Sequence, residues 1–288
     1  MLLFDTIKLN KEYWIKKIPG LRWGVPNPLN VFSTDQKKYS EALTTFNFSG
    51  VFKTTQAGRH EQTQRCLKEK IDQLNDPPLI LDIGASDGST SLDLINLVKG
   101  AFKKYYITDY NINCSYLHDK GYTFFFKTGE ECFLVATKKF VFFPAGKRLF
   151  NALFKRKLER IKNSAKTELL FINKDLQELQ KTDAGIAVMQ YNIFEPWIKE
   201  KVNIVIVGNL LNRAYFTDAQ IETAIGNCVN ALTETGLLVI IRNVAEKNGT
   251  ETEKSAIYQK NTGTGSLQKI QEINTGIEID NLLLSFRF

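Results

Sequence analysis

The clearest pattern in the chain is a short apolar run that contains an acid and opens into a loop with two glycines. Residues 79–83 form the run, Asp82 stands near its end, and Gly84 and Gly88 follow. Because Pro77-Pro78 prevents a helix from entering the segment, the run predicts a buried strand of a parallel sheet. Glycine permits a sharp turn and a close approach of the backbone to a ligand. The pattern therefore predicts a strand and a tight turn of the kind that holds a nucleotide-type cofactor.

A helix and a second strand follow this turn. Helical spacing of apolar residues predicts a helix after the loop, with Ser89 or Thr90 as its cap. Residues 104–109 then predict another short strand that ends in a carboxylate, and Asp109 lies 21 residues beyond Gly88. An acid at about this distance from a glycine-containing turn is placed to accept hydrogen bonds from ribose hydroxyls.

The second half of the chain repeats the alternation of strand and helix. Apolar runs predict strands within 186–194, 202–212 and 231–241. Between the last two, residues 217–220 have the pattern of a capping box before a helix. Such alternation is typical of an open, doubly wound α/β sheet.

The sequence resembles the class I S-adenosylmethionine-dependent methyltransferases. Residues 82–88 match the family's first motif, in which an acid is followed by glycine or a small residue at alternate positions, with Ser86 at the middle one. The resemblance covers about 57–110 and 184–262. It implies S-adenosyl-L-methionine as the cofactor.

The resemblance also implies the fold. We expect an α/β, doubly wound and mostly parallel seven-stranded sheet of the class I methyltransferase type. Residues 1–56 are expected to form an N-terminal cap, and 57–288 a methyltransferase-like domain with an insertion at about 116–166. The insertion is expected to contain a β-hairpin and a basic helix.

By resemblance, the loop lies against the methionine part of the cofactor, Asp109 accepts both ribose hydroxyls and Tyr110 packs on the adenine. Asn192 stands where the family commonly has aspartate, and with the Ile193 N–H it is expected to meet the edge of the base. The expected cofactor-binding residues are Asp82, Gly84, Ala85, Ser86, Gly88, Asp109, Tyr110, Asn192, Ile193 and Asn209.

The sequence offers few groups for acid–base catalysis. Only His60 and His118 carry an imidazole, and His60 is preferred as the catalytic base because it precedes the motif strand. Methyl transfer mainly requires that two partners be held in line and that water be excluded, so few dedicated groups are needed. No cluster has metal-ligand spacing, and we expect no metal.

Charge is concentrated in one segment. Residues 147–162 hold seven Lys or Arg against Glu159, a local charge of +6 out of a total of +7. The rest of the chain is nearly neutral, which argues against a nucleic-acid partner. An amphipathic basic helix beside the aromatic segments of 122–143 predicts peripheral membrane contact through 122–162, although the same helix could simply dock on the core.

The remaining composition favours a cytoplasmic protein, peripheral to the membrane at most. Its four cysteines show no paired spacing, and no leader or membrane-spanning run is apparent. The predicted activity is methyl transfer to O or N of a small-molecule or lipid-linked metabolite. Two alternatives stay open: a nicotinamide-dependent oxidoreductase, which the missing glycines disfavour, and a non-catalytic cofactor-binding interaction protein.

Overall fold

The structure is a computed structural model that describes residues 21–22, 26–48, 51–53, 57–127, 131–144, 147–246 and 251–288. The chain divides into two compact units. The first unit comprises Met1–Thr54 and Asn111–Lys174, and the second comprises Thr55–Tyr110 and Asp175–Phe288. Most of the predicted cap and the whole of the predicted insertion at 116–166 therefore belong to the same unit.

Short strands dominate the first half of the chain, and longer strands the second. The first half contains β1 (Leu21–Arg22), a 3-10 helix (Pro28–Phe32), α1 (Gln36–Leu43), β2 (Asn47–Phe48), β3 (Val51–Phe52), α2 (Glu61–Asp72), β4 (Leu79–Ile83), α3 (Ser89–Val98), β5 (Lys104–Asp109), β6 (Asn113–Asp119), β7 (Tyr122–Phe126), β8 (Cys132–Ala136) and β9 (Val141–Phe142). The second half contains α4 (Lys147–Ile161), β10 (Thr167–Leu170), α5 (Lys174–Thr182), β11 (Ile186–Gln190), β12 (Val202–Gly208), α6 (Asp218–Ala231), β13 (Leu232–Ala245), β14 (Glu251–Asn261), β15 (Ser266–Ile273) and α7 (Asp280–Ser285).

The first unit is built on an antiparallel sheet of six strands in the order β1-β9-β8-β7-β6-β10. The predicted hairpin is present as β7 paired with β8, while residues 128–130 of its predicted turn lie outside the described residues. One face of the sheet packs against the 3-10 helix, α1 and the β2 region, through Phe46, Phe125, Phe133 and Phe171.

The basic helix α4 docks on this sheet. Its apolar residues Phe150, Phe154 and Ile161 are buried together with Phe124 and Phe126 of the hairpin. The helix turns much of its charge outward, since most of its lysines and arginines are exposed. The amphipathic pattern thus serves core packing. Of the aromatic residues expected to meet a membrane, Phe124, Phe125 and Phe126 are buried, whereas Phe140, Phe142 and Phe143 are half-buried.

The second unit confirms the mixed α/β fold with a large, mostly parallel sheet. Its seven strands have the order β11-β5-β4-β12-β13-β14-β15. The first five are parallel neighbours, whereas β14 and β15 add to the edge in antiparallel register. The predicted capping box of α6 is present, with the Thr217 and Gln220 side chains and backbones bonded reciprocally.

The register brings the carboxyl ends of the five parallel strands to one edge. Ile83 of β4 lies opposite Thr108 and Val207, and Gly208 lies opposite Ile241. Open α/β sheets bind ligands at this edge. No helix in the described part of the chain has both the length and the apolar character of a membrane span.

Candidate functional site

The loop between β4 and α3 turns sharply at the edge of the parallel strands. Gly84, Ser86 and Gly88 all have positive φ values, of 74°, 59° and 77°. The Gly84 and Ala85 N–H groups donate to the Thr108 carbonyl at 2.9 and 3.0 Å. The backbone between Asp82 and α3 is therefore tied directly to the neighbouring strand β5.

Asp109 holds the middle of this loop. Its Oδ2 accepts a hydrogen bond from the Ser86 N–H at 2.9 Å. The acid at the end of β5 is therefore bonded directly to the loop that follows β4. Asp109, the residue predicted to bind the ribose hydroxyls, thus lies against the loop predicted to contact the methionine part of the cofactor.

Asp82 is a buried structural acid. Its Oδ2 accepts from the Ser91 hydroxyl at 2.7 Å and from the Tyr105 hydroxyl at 3.2 Å. Burial raises its pKa to about 6, although these two hydrogen bonds and the charge of Arg59 act in the opposite direction. Asp82 therefore connects β4, α3 and β5 beneath the loop.

The cap of α3 differs from the expectation. The helix begins after Gly88, and the Asp87 carboxylate accepts both the Ser89 N–H at 2.9 Å and the Ser89 hydroxyl at 3.0 Å. The prediction that Ser89 or Thr90 caps the helix is therefore wrong, since a buried carboxylate next to the helix dipole meets the free N–H groups more favourably than a hydroxyl.

The residues expected near the adenine lie at the same edge in different environments. The Asn192 side chain forms a turn, as Oδ1 accepts from the Phe194 N–H at 3.2 Å and Nδ2 donates to Glu195 at 3.1 Å. Ile193 is buried in the core of the unit. Tyr110 is 59% exposed, which leaves its ring accessible to a ligand.

His60 immediately precedes α2 and lies against the end of β12. A Cβ added to Gly208 would lie 3.0 Å from His60 Cε1, so this glycine makes room for the ring. Nε2 of His60 lies 2.9 Å from Asn243 Oδ1 and 3.2 Å from Asn209 Nδ2. Asn209 itself has a φ of 56° at the end of β12.

The buried His60 ring and the half-buried Arg59 guanidinium set the electrostatics of this corner of the site. Burial, reinforced by the neighbouring Arg59 charge, lowers the pKa of His60 to about 3, so the ring is neutral at physiological pH. The pKa of Arg59 is also lowered by burial, while the nearby acids Glu251, Asp87 and Asp82 act to raise it.

A narrow cavity joins His60 to the loop. The predicted residues His60, Asp82, Gly84 and Ala85 line it. Several other lining residues were not predicted from the sequence, namely Arg59, Gln64, Leu67, Thr90, Leu94, Tyr105, Ile206, Gly208 and Ile241. Most are apolar or central to strands and carry no local signal of a site.

The described residues include no group of three or more His, Cys, Asp or Glu side chains arranged to hold a metal ion.

Several solved structures are similar to this chain. One is the CMeT domain of the citrinin polyketide synthase, with 14% identity and a TM-score of 0.38 over 77% of this chain and 43% of that one. A second is the N-methyltransferase NodS from Bradyrhizobium japonicum WM9 in complex with S-adenosyl-L-homocysteine, with 14% identity and a TM-score of 0.31 over 64% and 62%.

A third is the O-methyltransferase NcsB1 from neocarzinostatin biosynthesis, in complex with S-adenosyl-L-homocysteine and 1,4-dihydroxy-2-naphthoic acid, with 12% identity, a TM-score of 0.32 and coverage of 60% and 34%. This chain spans less than two thirds of the length of each of the three. No protein-family model and no curated protein sequence matches it. Similarity at this level carries no information on the activity of this chain.

Proposed function

We propose that this protein is an S-adenosylmethionine-dependent methyltransferase of the class I type that modifies O or N of a small molecule. The observation that carries the proposal is the loop at 84–88, whose tight backbone is held by Asp109 at the carboxyl edge of five parallel strands. Open α/β sheets bind nucleotide-type ligands at such an edge.

The residues present fit this cofactor. Asp109 ends β5 beside the loop, where its carboxylate would meet ribose hydroxyls, and the exposed Tyr110 would cover the base. The Gly84, Ala85 and Gly88 backbone would line the methionine part, with Asn192, Ile193 and Asn209 at the ends of neighbouring strands. The bound cofactor supplies a methyl group activated on a sulfonium.

His60 belongs to the acceptor side of the proposed reaction. A neutral imidazole with a pKa near 3 is a weak base, so it would accept a hydrogen bond that orients the methyl acceptor rather than remove a proton unaided. The buried surroundings of His60 and Asp82 would exclude water from this end of the cavity.

Titration calorimetry with S-adenosylhomocysteine and with NAD tests the cofactor. We expect binding of the first and none of the second; the reverse result would favour the oxidoreductase alternative. Transfer of a labelled methyl group from S-adenosylmethionine into a cell extract tests the activity. Binding without transfer would leave a cofactor-binding interaction protein as the better description.

Among the described residues of the hairpin and α4, most of the exposed side chains that could meet a membrane are cationic, although Leu153 of α4 is also exposed. Phe124, Phe125 and Phe126 are buried, whereas Arg148, Lys155, Arg156, Arg160 and Lys162 are exposed. We propose that a lipid-linked substrate, if used, would be met through these cations without insertion of aromatic side chains. A cytoplasmic location stays a prediction from the cysteine pattern.

A further inference from the structure

Asn243 lies at the centre of a hydrogen-bond network with Asn209, Arg59 and His60. Its backbone N–H donates to Asn209 Oδ1 at 2.6 Å, and its Nδ2 donates to the Arg59 carbonyl at 3.0 Å. A backbone N–H can only donate and a carbonyl oxygen can only accept. These two bonds therefore fix the orientation of both amide groups and leave Asn243 Oδ1 towards His60.

The fixed amides decide which nitrogen of the His60 ring carries the proton. Asn243 Oδ1 accepts from Asn209 Nδ2 at 2.9 Å and lies 2.9 Å from His60 Nε2. Because this oxygen has no hydrogen to give, its contact with Nε2 is a hydrogen bond only if Nε2 is the donor. The Asn209 amide nitrogen lies farther from Nε2, at 3.2 Å, and already donates to the same oxygen, so the shorter contact favours a protonated Nε2. A neutral ring protonated at Nε2 carries its free lone pair on Nδ1.

We propose that Asn243 is a positioning residue that holds His60 in the Nε2–H form, so that Nδ1 is presented to the substrate as a hydrogen-bond acceptor. Among the described residues, Nδ1 makes no hydrogen bond, and His60 lines the cavity that reaches Gly84.

The same arrangement specifies the class of substrate and rests on the proposed methyltransferase function. A lone pair at Nδ1 accepts a hydrogen from a hydroxyl or an amine, whereas a carboxylate would set its oxygens against it. Burial and the neighbouring Arg59 charge lower the pKa of His60, which disfavours a second proton on the ring. The products are therefore methyl ethers or methylamines rather than methyl esters.

The tautomer can be measured by ¹⁵N NMR of the imidazole rings in the whole protein. The chain has two histidines, so the His118→Gln variant leaves His60 as the one remaining signal. At pH 7 we expect a protonated Nε2 and an unprotonated Nδ1; a protonated Nδ1 overturns the proposal. Asn243→Ala should give a mixture of both forms, while the exposed Asn230→Ala should leave the spectrum unchanged.

A second variant and a chemical assay complete the test. Asn243→Asp keeps an acceptor opposite Nε2, so it should retain the Nε2–H form even if Asn243→Ala does not fold. A pure Nε2–H spectrum in folded Asn243→Ala would contradict the role of Asn243.

Mild alkali releases methanol from methyl esters alone. Labelled products of the extract assay should therefore resist it, and release of the label would overturn the substrate class. Absence of any labelled product is a failure of the proposed methyltransferase function and leaves the tautomer measurement standing.

Discussion

The two units differ in charge as much as in architecture. The first unit carries 21 Lys or Arg against 9 Asp or Glu, a net charge of +12, whereas the second carries 17 against 22, a net charge of −5. Residues 147–162 carry +6, half of the net positive charge of the first unit. The other half is nearly cancelled by the net negative charge of the second unit when the whole sequence is summed, so the rest of the chain has a net charge close to zero. Recognition of anions and binding of the cofactor are therefore expected to be separable properties of different units.

The largest expected effect is in the second unit. Gly84→Val should abolish cofactor binding, because valine is strained at a φ of 74° and its Cβ would lie 3.0 Å from Leu210 Cδ2. Calorimetry with S-adenosylhomocysteine measures the loss. Gly100→Val is the matched control, since Gly100 has a φ of 76° but no atom within 4 Å of the added Cβ. A Gly84→Val protein with full affinity would place the site elsewhere.

The next effect concerns pH and arises from Asp82. Its folded pKa of about 6 exceeds the ordinary value of an aspartate, so the folded state keeps a proton that the unfolded state loses. The contribution of Asp82 to the free energy of unfolding therefore falls as pH rises from about 4 to about 6. The total loss is about 3 kcal/mol, because the pKa of Asp82 differs by roughly two units between the folded and unfolded states. Asp82→Asn should gain that much stability relative to wild type across this window, measured by urea unfolding.

His60 should give a pH dependence of stability of the opposite sign within the same unit. Its pKa is lowered to about 3, so the unfolded state takes up a proton first and stability falls as pH drops below about 6.5. His60→Gln should remove this loss. If Asp82→Asn or His60→Gln left the pH dependence of the free energy of unfolding unchanged, the replaced side chain would not be buried as described.

Asp109→Ala should weaken cofactor binding by about 2 kcal/mol, or thirtyfold, because it removes the proposed ribose acceptor and releases the Ser86 N–H. The comparison with the first unit offers a matched control. Asp119 also ends a strand and pairs with Arg160, yet it belongs to the other unit. Asp119→Ala should bind the cofactor as wild type does; equal losses in both variants would mean that the effect is on folding.

The smallest effect is expected on the cationic surface. Lys155→Ala should weaken binding to anionic vesicles by about 1 kcal/mol, or fivefold, and added salt should remove the difference. Lys199→Ala deletes the same charge from an exposed position of the second unit and should have no effect. Failure of the wild type to bind anionic vesicles at low salt would exclude membrane contact through this surface.

Local patterns predicted the elements of the second unit well. The run at 79–83, the glycine loop and Asp109 were recognisable because strand, turn and helix each leave a signal within a few residues.

Contacts set by register and by discontinuous segments could not be predicted. Asn243 meets Asn209 because β12 and β13 are neighbours, and no spacing rule connects two asparagines that are 34 residues apart. The pairing of Leu21–Arg22 with Val141–Phe142 involves strands of two residues, which are too short to leave a periodic signal. Such pairings join Met1–Thr54 and Asn111–Lys174, two separate parts of the chain, into the first unit.

One contact makes the order of synthesis relevant to the position of His60. The Glu253 carboxylate of β14 accepts the Gln62 and Thr63 N–H groups at the start of α2, directly after His60. Thr63 precedes Glu253 by 190 residues, a length that a ribosome adds in about 10–40 s at about 5–20 residues per second. During that interval the start of α2 lacks its acidic cap, so we expect the imidazole to reach its final position only after Glu253 has been added.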